Sequence, residues 1–435
     1  MIKFLTDFLD KYTKNQTIRG HMPGHKGRSL NPELEKAYAF DITEISGADS
    51  LFEAEGIIRK AERQTAEVYR TPECCWSAGG STLCIQAMLA QMKAEQRTVI
   101  ASRTVHRSFL NSCILLNLPV KWVYPSEGGI IWGKYRAEDF EAALQEVTVP
   151  ACVYITSPDY TGNIQDIAGI ARICRKYQAK LLVDNAHGAH TAFLEETLHP
   201  IALGADYCCD SAHKMLPALT GGAFLHMKDS AQVMRMKQHM QMFGSTSPSY
   251  LIMQSLEECT HWLAESGRDK ILTYVQRVKV LKQKFSGKYI FIGDDPLHLT
   301  ISCNGNLLAE QLRNCPYPVE CEYADKTCLV ILISPIMTEQ EFQHLEKALE
   351  GCTPVKAEVP PEIPKPMEQA VPLRIAGLAE AEVIPLSKAV NRICASVQVP
   401  CPPAVPIAVS GERLTREWLA LMEFYGLQSI AVIRS

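Results

Sequence analysis

A chain of 435 residues is too long for one ordinary core, so two or three packed domains are expected. With 47% hydrophobic and 21% charged residues it has a soluble globular profile, and a net charge of −4 argues against a general nucleic-acid binder, which would show a basic face. No run approaches the roughly 20 apolar residues of a membrane-spanning helix.

The start, MIKFLTDFLDKYTKNQ, reads as a short amphipathic helix. Lys3, Asp7, Asp10, Lys11 and Lys14 interrupt the apolar block that a signal peptide would need. HMPGHKGR at 21–28 sets two glycines and a proline among histidines and basic residues, the composition of an ordered loop. From about Ala61 to Met227, helical patterns alternate with short apolar runs. Strands are expected at Val99–Ala101, Val120–Val123, Ala151–Ile155, Lys180–Asp184 and Tyr207–Cys209, and helices over Ser81–Lys93, Ala137–Val147 and Asp166–Tyr177. That alternation implies a mostly parallel sheet covered on both faces, with ligands gathering beyond the carboxyl ends of its strands. Helical patterns continue from Ser230 to about Phe285. A smaller α+β segment follows, with strands near His298–Ile301 and Cys328–Leu332 and a helix over Thr338–Leu349. Six prolines between Thr353 and Pro372 predict an extended linker. The expected organisation is an arm at 1–60, a large domain at 61–285, a small α+β domain at 286–352, the linker at 353–372 and a terminal module at 373–435.

The sixteen cysteines are scattered, with adjacent pairs at Cys74-Cys75 and Cys208-Cys209 and no C-x-x-C. That spacing does not suit structural zinc, so no metal is expected; reduced, buried thiols in the cytoplasm are.

Ser211-Ala212-His213-Lys214 follows one predicted strand, and Asp184, thirty positions before the lysine, ends another. A lysine amine attacks an aldehyde only when neutral, a state favoured by partial withdrawal from water. An aspartate opposite it would keep a pyridinium nitrogen protonated and the ring an electron sink. Gly80-Ser81-Thr82 opens a predicted helix and offers N–H groups, hydroxyls and a helix dipole to an anion.

The chain resembles the ornithine/lysine/arginine decarboxylase family of the aspartate-aminotransferase fold, fold type I. The likeness runs through HMPGHKGR at 21–28, DITEISGADSLFEAEGII at 41–58, GGST at 79–82, TVHRS at 104–108 and SPDYTGN at 157–163. It continues through VDNAHGAH at 183–190, SAHKMLPALTGGAFLH at 211–226 and PCPPAVPIAVSGE at 400–412. The resemblance implies a pyridoxal-phosphate enzyme with Lys214 as the Schiff-base lysine and Asp184 at the pyridine nitrogen. Gly80, Ser81, Thr82, Ser211 and His213 would hold the phosphate, and His106 would stack on the ring. His187 is expected near the cofactor's phenolic oxygen or the substrate carboxylate, and His213 or Lys214 as the proton donor.

The implied reaction converts a basic L-amino acid (arginine, lysine or ornithine) to its amine and CO₂, as in polyamine metabolism. Glu44, Asp49 and Glu412 are the acids offered for the cationic side chain. The chain lacks the N-terminal wing of the large inducible bacterial members, so a homodimer with shared active sites is expected. Three departures stand out: Gly79 for the usual Asn, Asn185 where an acid commonly follows the aspartate, and Cys401-Pro402-Pro403-Ala404 for Tyr-Pro-Pro-Gly. The alternatives are another fold type I reaction, an aminotransferase or a carbon–sulfur lyase, or a cofactor-binding relative without turnover.

Overall fold

The computed structural model describes residues 1–15, 17–147, 150–395 and 404–434. The chain is an α/β protein whose long strands are mostly parallel, folded as two compact units: Met1–Gln91 with Leu181–Leu272, and Met92–Lys180 with Thr273–Ser435. Seven strands matter to the site: β1 (Glu73–Ser77), β2 (Thr98–Ser102), β3 (Val120–Val123), β4 (Ala151–Thr156), β5 (Lys180–Asp184), β6 (Tyr207–Asp210) and β7 (Ala223–Met227). No helix among the described residues is long and apolar enough to cross a membrane.

In the first unit the strand order is β1-β7-β6-β5. β5 and β6 are parallel, with Asp184 opposite Cys209; β7 runs antiparallel to both β6 and β1. The expected N-terminal helix forms over Phe4–Lys14 and buries Leu5 and Leu9. Each buried leucine contributes about 1.5–3 kcal/mol. The helix has no cap of its own; the Glu257 carboxylate accepts from the N–H groups of Leu5 and Thr6 at 3.0 and 2.7 Å. The helix Ile57–Tyr69 is capped in a similar way by Asp49. That carboxylate accepts from the N–H groups of Gly56, Ile58 and Arg59 at 2.8, 3.0 and 3.3 Å, and from Ser50 and Glu55.

β1 is buried along its whole length, and its apolar surroundings enclose a charged network. Lys237 reaches Glu62 at 2.6 Å and the Leu51 carbonyl at 2.7 Å. Glu62 also accepts from the Trp76 N–H at 2.9 Å, and Arg59 bridges Glu62 and Glu73. Lys237 and Glu62 are essentially inaccessible to water, so either charge alone would be costly.

The second unit carries β4, β2 and β3, all parallel, with β2 in the centre. It holds the helices Arg107–Leu116, Ala137–Gln145 and Ile167–Lys176. A four-stranded antiparallel sheet follows, with His298–Ser302 and Cys328–Leu332 as its inner strands and the helix Glu339–Gly351 after them. Between Cys352 and Pro372 the backbone forms no helix or strand, only a bridge from Gln369 to Glu412. The terminal segment pairs Ala381–Pro385 with Ser429–Ile433 and packs Trp418, Leu421 and Val432 into a core with Ile130 and Ile131.

Removing one member of the buried pair tests the network. Lys237→Ala is expected to lower the unfolding free energy by about 3–5 kcal/mol, read from urea denaturation. A loss below about 1 kcal/mol would show that the pair is solvated.

Candidate active site

Three strand ends in the first unit share one edge. β5 and β6 are parallel, and β1, antiparallel to a strand that is itself antiparallel to β6, runs with them. Beyond β1 lies Gly79-Gly80-Ser81; β5 ends on Asp184 and leads to His187; β6 leads to Ser211–Lys214. Parallel β-structure collects ligands at this carboxyl edge.

Lys214 Nζ lies 3.0 Å from His187 Nε2. The imidazole is buried, so a proton shared between these nitrogens is held away from bulk water. Asp184 is buried as well; one carboxylate oxygen accepts from the Ala186 N–H at 3.2 Å and faces the Cys209 thiol at 3.6 Å. His213 has a different occupation from its neighbour. Its Nδ1–H donates to the Gly222 carbonyl at 2.9 Å, which orients the ring and leaves Nε2 as the acceptor in the neutral form. The histidine bonded to the lysine is therefore His187.

The turn after β1 is tied down from two sides. Gly80 N–H donates to the Gly221 carbonyl at 2.7 Å, and Ser77 Oγ donates to the Gly80 carbonyl at 2.9 Å. Gly80 has φ +67°, a conformation glycine adopts without a Cβ penalty, and open space lies where a Cβ would be. Here the helix Gly80–Ala94 begins, and Ser211 Oγ donates to Ser81 Oγ at 2.9 Å. Thr82, on the first turn, is exposed.

Pyridoxal phosphate fits this donor set. Two adjoining hydroxyls and the N-terminus of a fifteen-residue helix suit a phosphate monoester. A buried carboxylate suits a protonated ring nitrogen, and a lysine amine suits the aldehyde.

His106 belongs to the second unit, where its Nδ1 accepts from the Ser108 N–H at 3.2 Å and so caps the helix Arg107–Leu116. The three acids proposed for the substrate are used differently. Asp49 caps a helix, as described above. Glu412, in the second unit, is buried against Arg103 at 3.4 Å and accepts from the Val409 N–H at 2.7 Å. Burial pushes its carboxyl above the usual range, against the pull of Arg103 and Val409. Glu44 is exposed.

The three departures can be placed, the last in part: Gly79 N–H donates to Ser77 Oγ at 3.1 Å. Asn185 Nδ2 donates to Asp210 at 2.8 Å, where an acid would set two carboxylates against each other. Ala404 is described and has φ +55°; Cys401, Pro402 and Pro403 lie outside the described residues. Sequence spacing also passed over a buried polar cluster behind β6. Residues alternate along a strand, so Cys209 faces Asp184 while Cys208 and Asp210 face the other side. His199 Nε2, the Cys208 thiol and Asp210 are of metal-ligand type and lie within 4.8 Å of one another. Hydrogen bonds account for them: Asp210 accepts from His199 at 3.2 Å, from the Cys208 thiol at 3.3 Å and from Asn185.

This fit, on this α/β architecture, makes the chain a pyridoxal-phosphate enzyme of fold type I. Residues 4–300 match the family described as "Orn/Lys/Arg decarboxylase, major domain", and residues 366–429 match "Orn/Lys/Arg decarboxylase, C-terminal domain". The chain belongs to the Orn/Lys/Arg decarboxylase family, and it is a pyridoxal-phosphate-dependent decarboxylase of a basic amino acid. It is 28% identical to the arginine decarboxylase of Bacillus subtilis over 448 residues, covering 94% of this chain and 90% of that protein. Against the arginine decarboxylase of Halalkalibacterium halodurans the identity is 26%, with the same coverage. The fold is shared with the lysine decarboxylase LdcF of Francisella novicida, at a TM-score of 0.80 and 16% identity, over 100% of this chain and 81% of that one.

The cluster behind β6 predicts an acid dependence of stability. Burial holds the His226 imidazole down to about 3, with Asp210 opposing and His199 adding to the shift. At Asp210 burial acts upward, but His199, then His226 and Asn185, hold the carboxyl below the usual range. Below the ordinary imidazole value of about 6.5 the unfolded chain takes up a proton that folded His226 refuses. Stability should therefore be complete above about pH 6.5 and fall as the pH drops towards about 3, at up to about 1.4 kcal/mol per unit. In urea titrations across that window His226→Gln should flatten the slope; an unchanged slope would place the acid sensitivity elsewhere.

Proposed function

We propose that the protein decarboxylates arginine, releasing CO₂ and the corresponding amine, a precursor of polyamines. The observation that carries the site reading is the 3.0 Å contact between Lys214 Nζ and His187 Nε2 at the carboxyl edge of β5 and β6. The choice of arginine rests on the arginine decarboxylases that align with 94% of this chain.

Each residue has a task in this reading. Ser81, Ser211, His213 and the amides at Gly80–Thr82 hold the phosphate and fix the position of everything attached to it. Asp184, buried from solvent, would hold a proton on the ring nitrogen. Bound pyridoxal phosphate supplies the electron sink that takes up the electrons left at Cα when CO₂ departs. Lys214 would hold the cofactor, and His187, 3.0 Å from Nζ, would accept or return a proton at that nitrogen. His106 would stack on the cofactor ring, as the T-V-H-R-S match implies. Asp49 and Glu412 use their carboxylates within the protein, so Glu44 is the acid proposed for the guanidinium.

We also propose a homodimer in the cytoplasm. Ile18 and Leu30, in the segment that flanks HMPGHKGR, are 95% and 106% exposed, an arrangement suited to burial by a second copy. Cysteines such as Cys74, Cys75, Cys208 and Cys209 are buried thiols outside any disulfide, in keeping with a reducing compartment.

The test is CO₂ and amine release by the purified holoenzyme on arginine, lysine, ornithine and an aromatic amino acid. Arginine should give both products in equal amounts. His187→Asn should slow turnover by about 10²–10⁴-fold, the range of a lost proton-transfer group. Amino transfer to a keto acid, with no CO₂ from any substrate, would contradict the proposal.

A further inference from the structure

Arg103 follows the last residue of β2, three positions before His106, and is entirely buried. A guanidinium stays charged in any protein environment, so its interior position demands acceptors. Three of them come from one distant segment. One Nη donates to the Pro406 carbonyl at 2.6 Å, and the other donates to the Ile407 carbonyl at 3.0 Å and Glu412 Oε2 at 3.4 Å. The guanidinium carbon also lies 5.2 Å from the Trp122 ring centre and 6.0 Å from that of Trp418.

The other flank of His106 is fastened to the same segment. Arg107 N–H donates to the Ala404 carbonyl at 3.0 Å. Ala404 adopts φ +55°, a left-handed conformation that costs a non-glycine residue about 1–2 kcal/mol. Glu412 closes the loop on itself by accepting from the Val409 N–H at 2.7 Å. His106 therefore sits on a short turn held on both sides by Ala404–Glu412. Its ring is fixed in addition by the Ser108 N–H at Nδ1, which leaves Nε2 as the protonated nitrogen of the neutral ring.

We propose that Glu412 and Arg103 are positioning residues for the cofactor ring: together they clamp the segment Ala404–Glu412 over the 103–107 turn and so set the His106 imidazole. Glu412 thereby has a role other than binding the substrate cation. The inference rests on the proposed contact of His106 with pyridoxal phosphate. It adds that the contact is energetically linked to a segment 300 residues away in sequence. Linkage is reciprocal, so whatever steadies His106 must also steady Ala404–Glu412.

Amide hydrogen exchange tests the clamp in the wild-type protein. Without cofactor, the amides of Arg107 and Val409 should open together, with opening constants that agree within about twofold, as one cooperative unit. Adding pyridoxal phosphate should slow both by the same factor. Different opening constants, or slowing at Arg107 alone, would overturn the proposal. A wild-type protein that binds no cofactor would instead defeat the reading of His106, and the cofactor-free exchange would still decide the clamp.

Two variants extend the test. Glu412→Gln removes the charge, and Arg103→Lys keeps the charge but loses the planar fork. In a variant that still melts cooperatively, exchange at residues 106–110 should rise about tenfold. The visible circular dichroism of the bound cofactor should fall by about half, with a weaker cofactor dissociation constant. A folded variant with wild-type exchange and wild-type dichroism would show that the ion pair serves stability alone.

Discussion

The convergence of three strand ends on one edge is the constraint from which the rest of the site follows. Only because β1, β5 and β6 run in the same direction do Ser81, Asp184 and Ser211–Lys214 face a common space. β7 makes this possible: inserted antiparallel between β1 and β6, it lets a strand from early in the chain end beside two from its middle. Within that space Lys214 lies 3.0 Å from His187, with the Gly80–Ser81 turn and the buried Asp184 beside them.

Burial decides what the polar groups can do. Asp184 and His187 are enclosed, so their proton positions are set by neighbouring groups rather than by solvent. Behind β6, the same strand presents Asp210 to two histidines, a thiol and an amide. Asn185 joins the two faces, since it follows Asp184 and donates to Asp210. A neutral side chain at 185 is what permits a carboxylate at 210. In the second unit the buried Arg103 plays the corresponding part, with backbone carbonyls and Glu412 in place of water.

Much of this was readable in the residues, and the exceptions have physical causes. The apolar runs at 99–101, 120–123, 151–155, 180–184 and 207–209 all lie in strands; two-sided burial demands such sequence in the inner strands, while β3 is a half-buried edge. β1 and β7 were not foreseen: ECCWS and AFLHM carry Glu73 and His226, charged or polar side chains whose partners are far away in sequence. Distant partners also hid the Glu257 cap and the Lys237–Glu62 pair. Local spacing singled out Lys214, Asp184 and the Gly-Ser-Thr turn, and each lies beside a strand end or at a helix start. It offered His213 as the proton-transfer neighbour of the lysine, whereas His187 lies 3.0 Å from Lys214 Nζ and His213 is bonded to the Gly222 carbonyl. The acids were the hardest to read: a capping aspartate, a buried glutamate and an exposed one look alike in sequence.

The central claim is that Lys214 is the residue that carries the cofactor. Reduction of the cofactor-loaded protein with borohydride would make that attachment permanent, and peptide mass mapping would locate it. The added pyridoxyl mass should fall on Lys214, in near-stoichiometric amount, and on no other lysine. Its appearance on a different lysine, or its absence from a protein that releases CO₂ from arginine, would contradict the account.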